Sequence, residues 1–217
     1  MLRKFNFRAI ILVLILSICT ILSACSSGNR DYKIQLKDSD IAYLTLCSYS
    51  GEGESNYGLI SFGHTFLAIE NISNEPIIVY NYEIKSGDTI TISTWSLSEH
   101  FGVWFNVESN YILNHDKYNG RYSITTGISS DDITTINSFI NKNDKWSILR
   151  NCSYFALSLW NEVAEESEYI SRKPISTPSY IQEEIIKFES YEKNKKIATT
   201  DSCYYYNNEQ LLEFHFK

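Results

Sequence analysis

The sequence predicts an α+β fold in which an antiparallel β-sheet packs against helices. Between residues 41 and 125 the apolar residues form short runs rich in β-branched and aromatic side chains, a composition typical of strands. After Gly127 the apolar period changes from two residues to about 3.6, which indicates amphipathic helices. Strands followed by helices along one chain are characteristic of the α+β class.

The predicted strands are bounded by turn-forming residues. A loop rich in glycine and polar residues over 50–58 follows the first strand, and the proline-containing turn 71–76 joins the next two into a β-hairpin. Residues 203–216 are predicted to return as a strand or a short helix. The other strand predictions are Ile41–Cys47, Leu59–Ile69, Ile77–Ile84, Thr89–Thr94, Val103–Ile112 and Arg121–Thr125.

Three helices are predicted from their start signals. Ser129, with Asp132 three residues later, forms a capping arrangement. Asn151 is a good N-cap for a helix that begins at Cys152 and carries an apolar stripe. Thr177–Pro178 starts the last helix, with threonine as N-cap and proline at the first helical position.

Residues 1–24 are predicted to be a lipoprotein signal peptide. A positively charged start precedes an apolar run of about 14 residues, shorter than the roughly 20 of a membrane span. The run ends in Leu22–Cys25 (LSAC), which resembles a bacterial lipobox; the alternative is an ordinary secretory signal with a chance cysteine. The lipobox implies cleavage before Cys25, acylation of its thiol, and anchorage in the lipid bilayer at the extracytoplasmic face of a bacterial cell membrane. Residues 25–31 are then a tether, and 32–217 a single domain.

The charge of the exported chain argues against a nucleic-acid partner. The signal contains three of the 19 basic residues and none of the 26 acidic ones, so its removal changes the net charge from −7 to −10. Proteins that bind nucleic acids are usually basic, because they neutralise phosphates. The remaining 193 residues are enough for one domain with a sizeable core.

Three cysteines remain after Cys19 and the lipid acceptor are set aside. Cys47 and Cys203 are candidates for a disulfide, which would leave Cys152 as an unpaired thiol. Cys152 lies at the predicted start of a helix, where the macrodipole favours a thiolate. It is therefore either a catalytic nucleophile or a small apolar core residue.

A histidine is needed as base for a catalytic cysteine, and His64 is the best candidate. It follows Gly63, whose missing side chain permits a close approach of another backbone or a substrate. It begins a strand that would also turn Phe66 and Ala68 inward. The alternative for His64 is a structural role in the core, and His100 is a less favoured candidate base.

Two separated motifs then resemble the circularly permuted papain-like families. These motifs are Gly63–Ile69 (GHTFLAI) with Tyr80–Tyr82 (YNY), and Asn151–Ala156 (NCSYFA). The similarity covers roughly residues 41–190 and extends to the permuted branch of the NlpC-type superfamily and to lecithin retinol acyltransferase-like enzymes. It implies a single papain-like catalytic domain in which the histidine strand precedes the cysteine helix. In such a thiol hydrolase or acyltransferase, Cys152 would be the nucleophile and His64 the base.

The third catalytic residue is not fixed by these motifs. Asn81 is the first candidate, because an amide oxygen accepts the imidazole N–H, and Glu108 is the alternative. The expected substrates are amide or ester bonds of cell-wall peptides, of peptidoglycan, or of lipids and other acyl compounds. No cofactor is expected, and no metal site, since the cysteines and histidines lack ligand spacing. The alternative function is a non-catalytic surface lipoprotein that uses the fold as a binding module.

Overall fold

The computed structural model describes residues 34–51, 63–197, 202–207 and 210–216. Within these ranges the chain forms ten β-strands, four α-helices and one short 3₁₀ turn, Glu166–Glu168. The strands are β1 (Asp40–Tyr49), β2 (His64–Asn71), β3 (Ile77–Val79), β4 (Tyr82–Ile84), β5 (Thr89–Ser96), β6 (Phe101–Phe105), β7 (Tyr122–Ser129), β8 (Glu192–Lys193), β9 (Cys203–Asn207) and β10 (Gln210–Phe214). The helices are α1 (Val107–His115), α2 (Ser130–Asn143), α3 (Cys152–Val163) and α4 (Pro178–Ile185).

Eight of these strands form one antiparallel sheet. Their order is β10-β9-β6-β5-β2-β1-β7-β8, and β3 and β4 form a separate two-stranded hairpin. The predicted α+β class is confirmed. The strands expected near residues 41–47, 89–94, 121–125 and 203–216 correspond to β1, β5, β7 and the pair β9–β10.

The hairpin predicted between Leu59–Ile69 and Ile77–Ile84 is wrong. β2 pairs with β1 and β5 instead, and the run Ile77–Ile84 folds back on itself as β3 and β4. Tyr80 and Asn81 have positive φ angles of 48° and 69°. Two successive residues of this kind form a type I′ turn, which reverses the chain within two residues.

The strand predicted over Val103–Ile112 ends early. β6 stops at Phe105, and Asn106 has a left-handed φ of 63°, which breaks the strand and lets α1 begin at the next residue. Asn106 is held there by Thr91, whose backbone oxygen accepts its N–H at 2.8 Å and whose backbone N–H donates to its Oδ1 at 3.1 Å. The candidate Glu108 therefore lies in the first turn of a helix and not in a strand.

The three predicted helix starts are confirmed. Ser129 and Asp132 form a capping box at α2. The side chain of Asn151 accepts the backbone N–H of Tyr154 at 2.9 Å, and Thr177 caps α4 in the same way. Local hydrogen bonds thus fix where each helix begins, including the residue at which Cys152 enters α3.

The sheet has a buried core on each face. The larger core lies between the sheet and α2, α3 and α4, and includes Leu44, Leu67 and Phe155. The smaller one lies on the opposite face, under α1 and the loop after it, and includes Cys47, Phe66 and Ala68. Both faces of the central strand β2 are therefore buried. None of the helices in the described ranges is long and apolar enough to cross a membrane.

Gly63 lets the chain pass close to the end of β1 before it enters β2. A Cβ at this position would lie 2.1 Å from the backbone oxygen of Tyr49, far inside van der Waals contact. The sequence-based reason for a glycine before His64 therefore agrees with the structure.

We expect Gly63→Ala to lower the free energy of unfolding by about 2 kcal/mol or more, because the Tyr49 backbone must move. Gly87→Ala is the matched control: Gly87 has a φ of 79° but no atom within 4 Å of an added Cβ, so it carries only the backbone strain. Thermal unfolding of both variants measures the difference. A loss for Gly63→Ala no larger than for Gly87→Ala would contradict the close-approach explanation.

Candidate active site

Three chain segments converge where β2 begins. His64 is the first residue of β2 and pairs with Tyr49, the last residue of β1. Cys152 is the first residue of α3, which packs on one face of the sheet, and Glu108 lies in the first turn of α1 on the other face. Because His64 stands at the strand end, its ring can contact groups from both faces.

His64 bridges Cys152 and Glu108. Its Nε2–H donates to Glu108 Oε1 at 2.7 Å, and its ring also hydrogen-bonds the Cys152 side chain. Because Nε2 is occupied by the carboxylate, Nδ1 is the nitrogen that faces the sulfur. The backbone N–H of Thr65 also donates to the Cys152 side chain. The His64 ring thus interacts with both the Cys152 thiol and the Glu108 carboxylate.

The environment favours a thiolate–imidazolium ion pair. Burial raises the pKa of the Cys152 thiol, but the charge of His64 and the hydrogen bonds from His64 and Thr65 lower it more, so that its pKa lies below the usual value. Burial lowers the pKa of His64, but Cys152 and Glu108 raise it more, so that its pKa lies above the usual value. Cys152 is also partly exposed, as a nucleophile must be.

Glu108 is the carboxylate that holds the His64 ring in place. It is completely buried, and its Oε1 accepts hydrogen bonds from His64 Nε2 and from Trp95 Nε1 at 2.8 Å. Its position near the N-terminus of α1 is favourable for a negative side chain. Asn81, the first sequence-based candidate, lies exposed in the turn between β3 and β4. The alternative Glu108, and not Asn81, therefore contacts His64.

Aromatic rings hold the His64 imidazole in this orientation. The Trp95 ring lies over it with a centroid distance of 4.2 Å, and the Tyr118 and Phe66 rings lie at 5.7 and 6.1 Å. Sequence reasoning missed Tyr118 as a site residue, and it did not place Trp95 beside His64. Trp95 directly follows the predicted strand Thr89–Thr94, and only the pairing of β5 with β2 brings its strand beside His64.

A chain of buried hydroxyl groups fixes α3 on the sheet. Ser153 Oγ and Thr65 Oγ1 are 3.0 Å apart, Thr65 Oγ1 and Ser48 Oγ are also 3.0 Å apart, and Ser48 donates to the Pro178 carbonyl at 2.8 Å. Since the single Ser48 proton goes to that carbonyl, Ser48 accepts the Thr65 proton. The chain links the first turn of α3 to β2, β1 and α4.

The structure does not bring Cys47 and Cys203 together, and it forms no disulfide between them. β2, β5 and β6 lie between their strands, which places them about 19 Å apart at about 4.8 Å per strand, whereas a disulfide needs Cα atoms within about 7 Å. Cys203 Sγ donates to the Asn106 carbonyl at 3.3 Å, and burial raises the pKa of Cys47 to about 12. Both are buried, in contrast to Cys152.

The other histidines lie apart from the nucleophile. His100, the less favoured candidate, donates to Asp144 Oδ1 at 2.7 Å, and His115 and His215 are exposed. Within the described ranges, no group of three or more His, Cys, Asp and Glu side chains is placed to bind a metal ion.

Comparison of the chain with protein-family models, curated proteins and solved structures gives no match. The predicted signal peptide, the lipid acceptor Cys25 and the tether 25–31 lie outside the described residues. The lipid anchor and the papain-like resemblance therefore stay predictions.

We expect iodoacetamide to alkylate Cys152 with a midpoint below pH 9.0, the usual thiol value, because His64 and Thr65 stabilise the thiolate. In His64→Ala the opposing effect of burial remains, so the midpoint moves to higher pH. Mass spectrometry of alkylated peptides across a pH series measures both midpoints, and the buried Cys47 and Cys203 of the same chain serve as internal controls. An unchanged midpoint in His64→Ala would show that the ion pair does not form.

We expect Thr65→Val to lower the free energy of unfolding by about 1–3 kcal/mol, because Ser48 and Ser153 lose their shared partner. The control is Thr45→Val. It breaks a similar buried hydroxyl pair between β1 and β7, that of Thr45 with Thr125 at 3.0 Å. Both variants should unfold at lower denaturant concentration, but only Thr65→Val should slow the alkylation of Cys152. Equal alkylation rates would mean that the hydroxyl chain does not position α3.

Proposed function

We propose that this protein is an exported thiol hydrolase or acyltransferase with a Cys152–His64–Glu108 catalytic set. It would act on amide or ester bonds, anchored through acylated Cys25 at the extracytoplasmic face of a bacterial cell membrane. The observation that carries the proposal is the partly exposed Cys152 at a helix N-terminus, hydrogen-bonded to a histidine whose other nitrogen is held by a buried carboxylate. Each of these three groups has a distinct role in acyl transfer.

The first step is attack of the Cys152 thiolate on the acyl carbon. A C–S bond forms, and the carbonyl oxygen becomes an oxyanion. Backbone N–H groups in the first turn of a helix have no intrahelical partners, so the N–H of Cys152 can donate to this oxyanion. The positive end of the α3 macrodipole stabilises the same negative charge.

The second step is collapse of the tetrahedral intermediate. The bond to the leaving amine or alcohol breaks, and His64 gives its Nδ1 proton to that group, which leaves a thioester on Cys152. The neutral imidazole can then take a proton from water, in a hydrolase, or from a second acceptor, in an acyltransferase. Attack by that nucleophile on the thioester releases the acyl group and restores the thiolate.

Glu108 keeps His64 in the tautomer that these two reaction steps require. Its hydrogen bond from Nε2–H at 2.7 Å means that the proton lost from His64 is the one on Nδ1, which faces the sulfur. Its negative charge stabilises the imidazolium before the proton is given away. The bond from Trp95 prevents the carboxylate from turning toward another partner.

The order of the site residues along the chain also supports the proposal. The resemblance to permuted papain-like enzymes implies a histidine strand before a cysteine helix, and β2 precedes α3 here. The helix packs on the strand that carries the histidine, as expected for such a site. The cell-wall or acyl nature of the substrate belongs to the same proposal.

We expect Cys152→Ala and His64→Ala to abolish labelling by an activity-based thiol probe and any turnover that the probe blocks. Glu108→Gln should retain the fold but lower turnover by about 10²–10⁴-fold, because the amide lacks the charge that stabilises the imidazolium.

We also expect a pH dependence of activity with two limits. Activity should rise as Cys152 ionises, at a pH below the usual pKa of a thiol, because the pKa of Cys152 is lowered. It should fall as His64 loses its proton, at a pH above the usual pKa of a histidine, because the pKa of His64 is raised.

The control for these variants is His100→Ala, which removes the His100–Asp144 pair away from the nucleophile and should leave labelling unchanged. Competition of probe labelling by cell-wall fragments and by lipid extracts would indicate the substrate class. A folded wild-type protein whose Cys152 fails to react with the probe at any pH would contradict the catalytic proposal and favour the binding module.

A further inference from the structure

Two exposed aliphatic residues directly precede the nucleophile helix. Ile148 and Leu149 are 75% and 63% exposed, and they lie four and three residues before Cys152. Their turn is well ordered by hydrogen bonds: the backbones of Ser147 and Arg150 exchange two, at 3.2 and 3.0 Å, and Ser147 Oγ accepts the Arg150 N–H at 3.0 Å. The central positions of tight turns usually hold Gly, Pro, Asn, Asp or Ser. Folding of the turn therefore does not explain this pair.

A third exposed apolar side chain comes from the neighbouring strand. Phe101, at the start of β6, is 57% exposed, and its backbone oxygen accepts the N–H of Trp146 at 3.0 Å. This bond holds the segment before the turn against the start of β6. We refer to Phe101, Ile148 and Leu149 as the rim patch. Clusters of exposed apolar residues on a soluble domain commonly mark a contact surface.

Basic residues flank the rim patch, although the chain as a whole is acidic. Lys145 and Arg150 are exposed on either side of the aliphatic pair. Asp144 lies between the end of α2 and Lys145. Its carboxylate accepts hydrogen bonds from His100 and from the backbone N–H of Val103. Apolar side chains bordered by cations are complementary to a membrane with anionic lipids, since the former enter the headgroup region and the latter contact phosphates.

We infer that the rim patch docks this domain onto an anionic lipid bilayer. The inference rests on the proposed function, in which Cys25 is acylated and the domain is tethered to a membrane. Docking places Cys152, three residues beyond Leu149, at the headgroup level. The substrate class is then the ester or amide bond of a membrane-borne acyl group, and not a soluble peptide.

The chain length defines how the domain must lie on the bilayer. Eight residues, 26–33, separate Cys25 from the first described residue, and they span at most about 29 Å. The chain enters β1 at Asp40, the end of the strand opposite Tyr49 and the site, and a ten-residue strand is about 33 Å long. The rim patch thus reaches the bilayer when the strands lie along the membrane surface.

Vesicle binding by the mature chain with Cys25→Ser tests the inference, because this change removes the acyl acceptor and leaves every described residue in place. The probes are vesicles of phosphatidylcholine alone and of an equimolar mixture with phosphatidylglycerol, with binding measured by co-sedimentation. We expect binding to the anionic vesicles, and we expect Ile148→Ser/Leu149→Ser to lower the partition coefficient by about tenfold or more. The matched control is Ile78→Ser/Leu113→Ser, whose residues are 49% and 51% exposed elsewhere and should not matter.

The outcomes separate docking from catalysis. Cys152→Ala should bind vesicles as well as the parent chain does. A parent chain that binds vesicles but is not labelled by the thiol probe would count against the catalytic proposal alone. The inference is overturned if the parent chain does not bind anionic vesicles, or if the Ile148/Leu149 variant binds as the control variant does. It is also overturned if sedimentation velocity shows a dimer that this variant dissociates, because the patch would then contact a second copy.

Discussion

The hydrogen bond between His64 and Glu108 is the interaction on which the site depends. Glu108 is completely buried, and a buried carboxylate without a cationic or hydrogen-bonding partner costs several kcal/mol. Its Oε2 has no hydrogen-bond partner among the described residues, so the contacts of Oε1 with His64 and Trp95 must compensate for its burial. The same bond that stabilises the carboxylate fixes the imidazole against Cys152. The burial of the carboxylate and the orientation of the imidazole therefore depend on one hydrogen bond.

The position of His64 also explains how groups from both faces of the sheet come together at the site. α1 lies on the face of the smaller core and α3 on that of the larger one, so β2 separates the carboxylate helix from the cysteine helix. A residue in the middle of β2 could contact only one of them. His64 contacts both because it is the first residue of the strand, and Gly63 provides the space for the chain to enter there.

The features that could be predicted from the sequence are those determined by residues close together in the chain. Ser129, Asn151 and Thr177 cap their helices through the residue three positions further along, so an N-cap can be predicted from a few neighbouring residues. The predicted strands were wrong where they depended on a backbone conformation that the residue types do not indicate. Tyr80 and Asn106 adopt left-handed angles without being glycine.

The position of Asn81, away from His64, has the same origin. Asn81 was the first candidate because its amide oxygen can accept the imidazole N–H, and the predicted hairpin between residues 59–69 and 77–84 would have kept residue 81 close to β2. Once the turn at Tyr80–Asn81 removes that hairpin, no pairing brings Asn81 to β2. Glu108 reaches His64 only because Asn106 ends β6 and starts α1, a junction held by two hydrogen bonds to Thr91 from the adjoining strand. Both facts are non-local, and neither follows from composition or period.

The environments of Cys47 and Cys152 show how the fold gives chemically identical thiols different pKa values. Cys47 lies in the smaller core, and burial raises its pKa to about 12, so it remains a neutral apolar side chain at physiological pH. Cys152 is also desolvated, but it lies at a helix N-terminus beside His64 and its pKa is lowered. Burial alone would make both thiols inert. The difference comes from the histidine, so the helix end places the thiol and the strand end activates it.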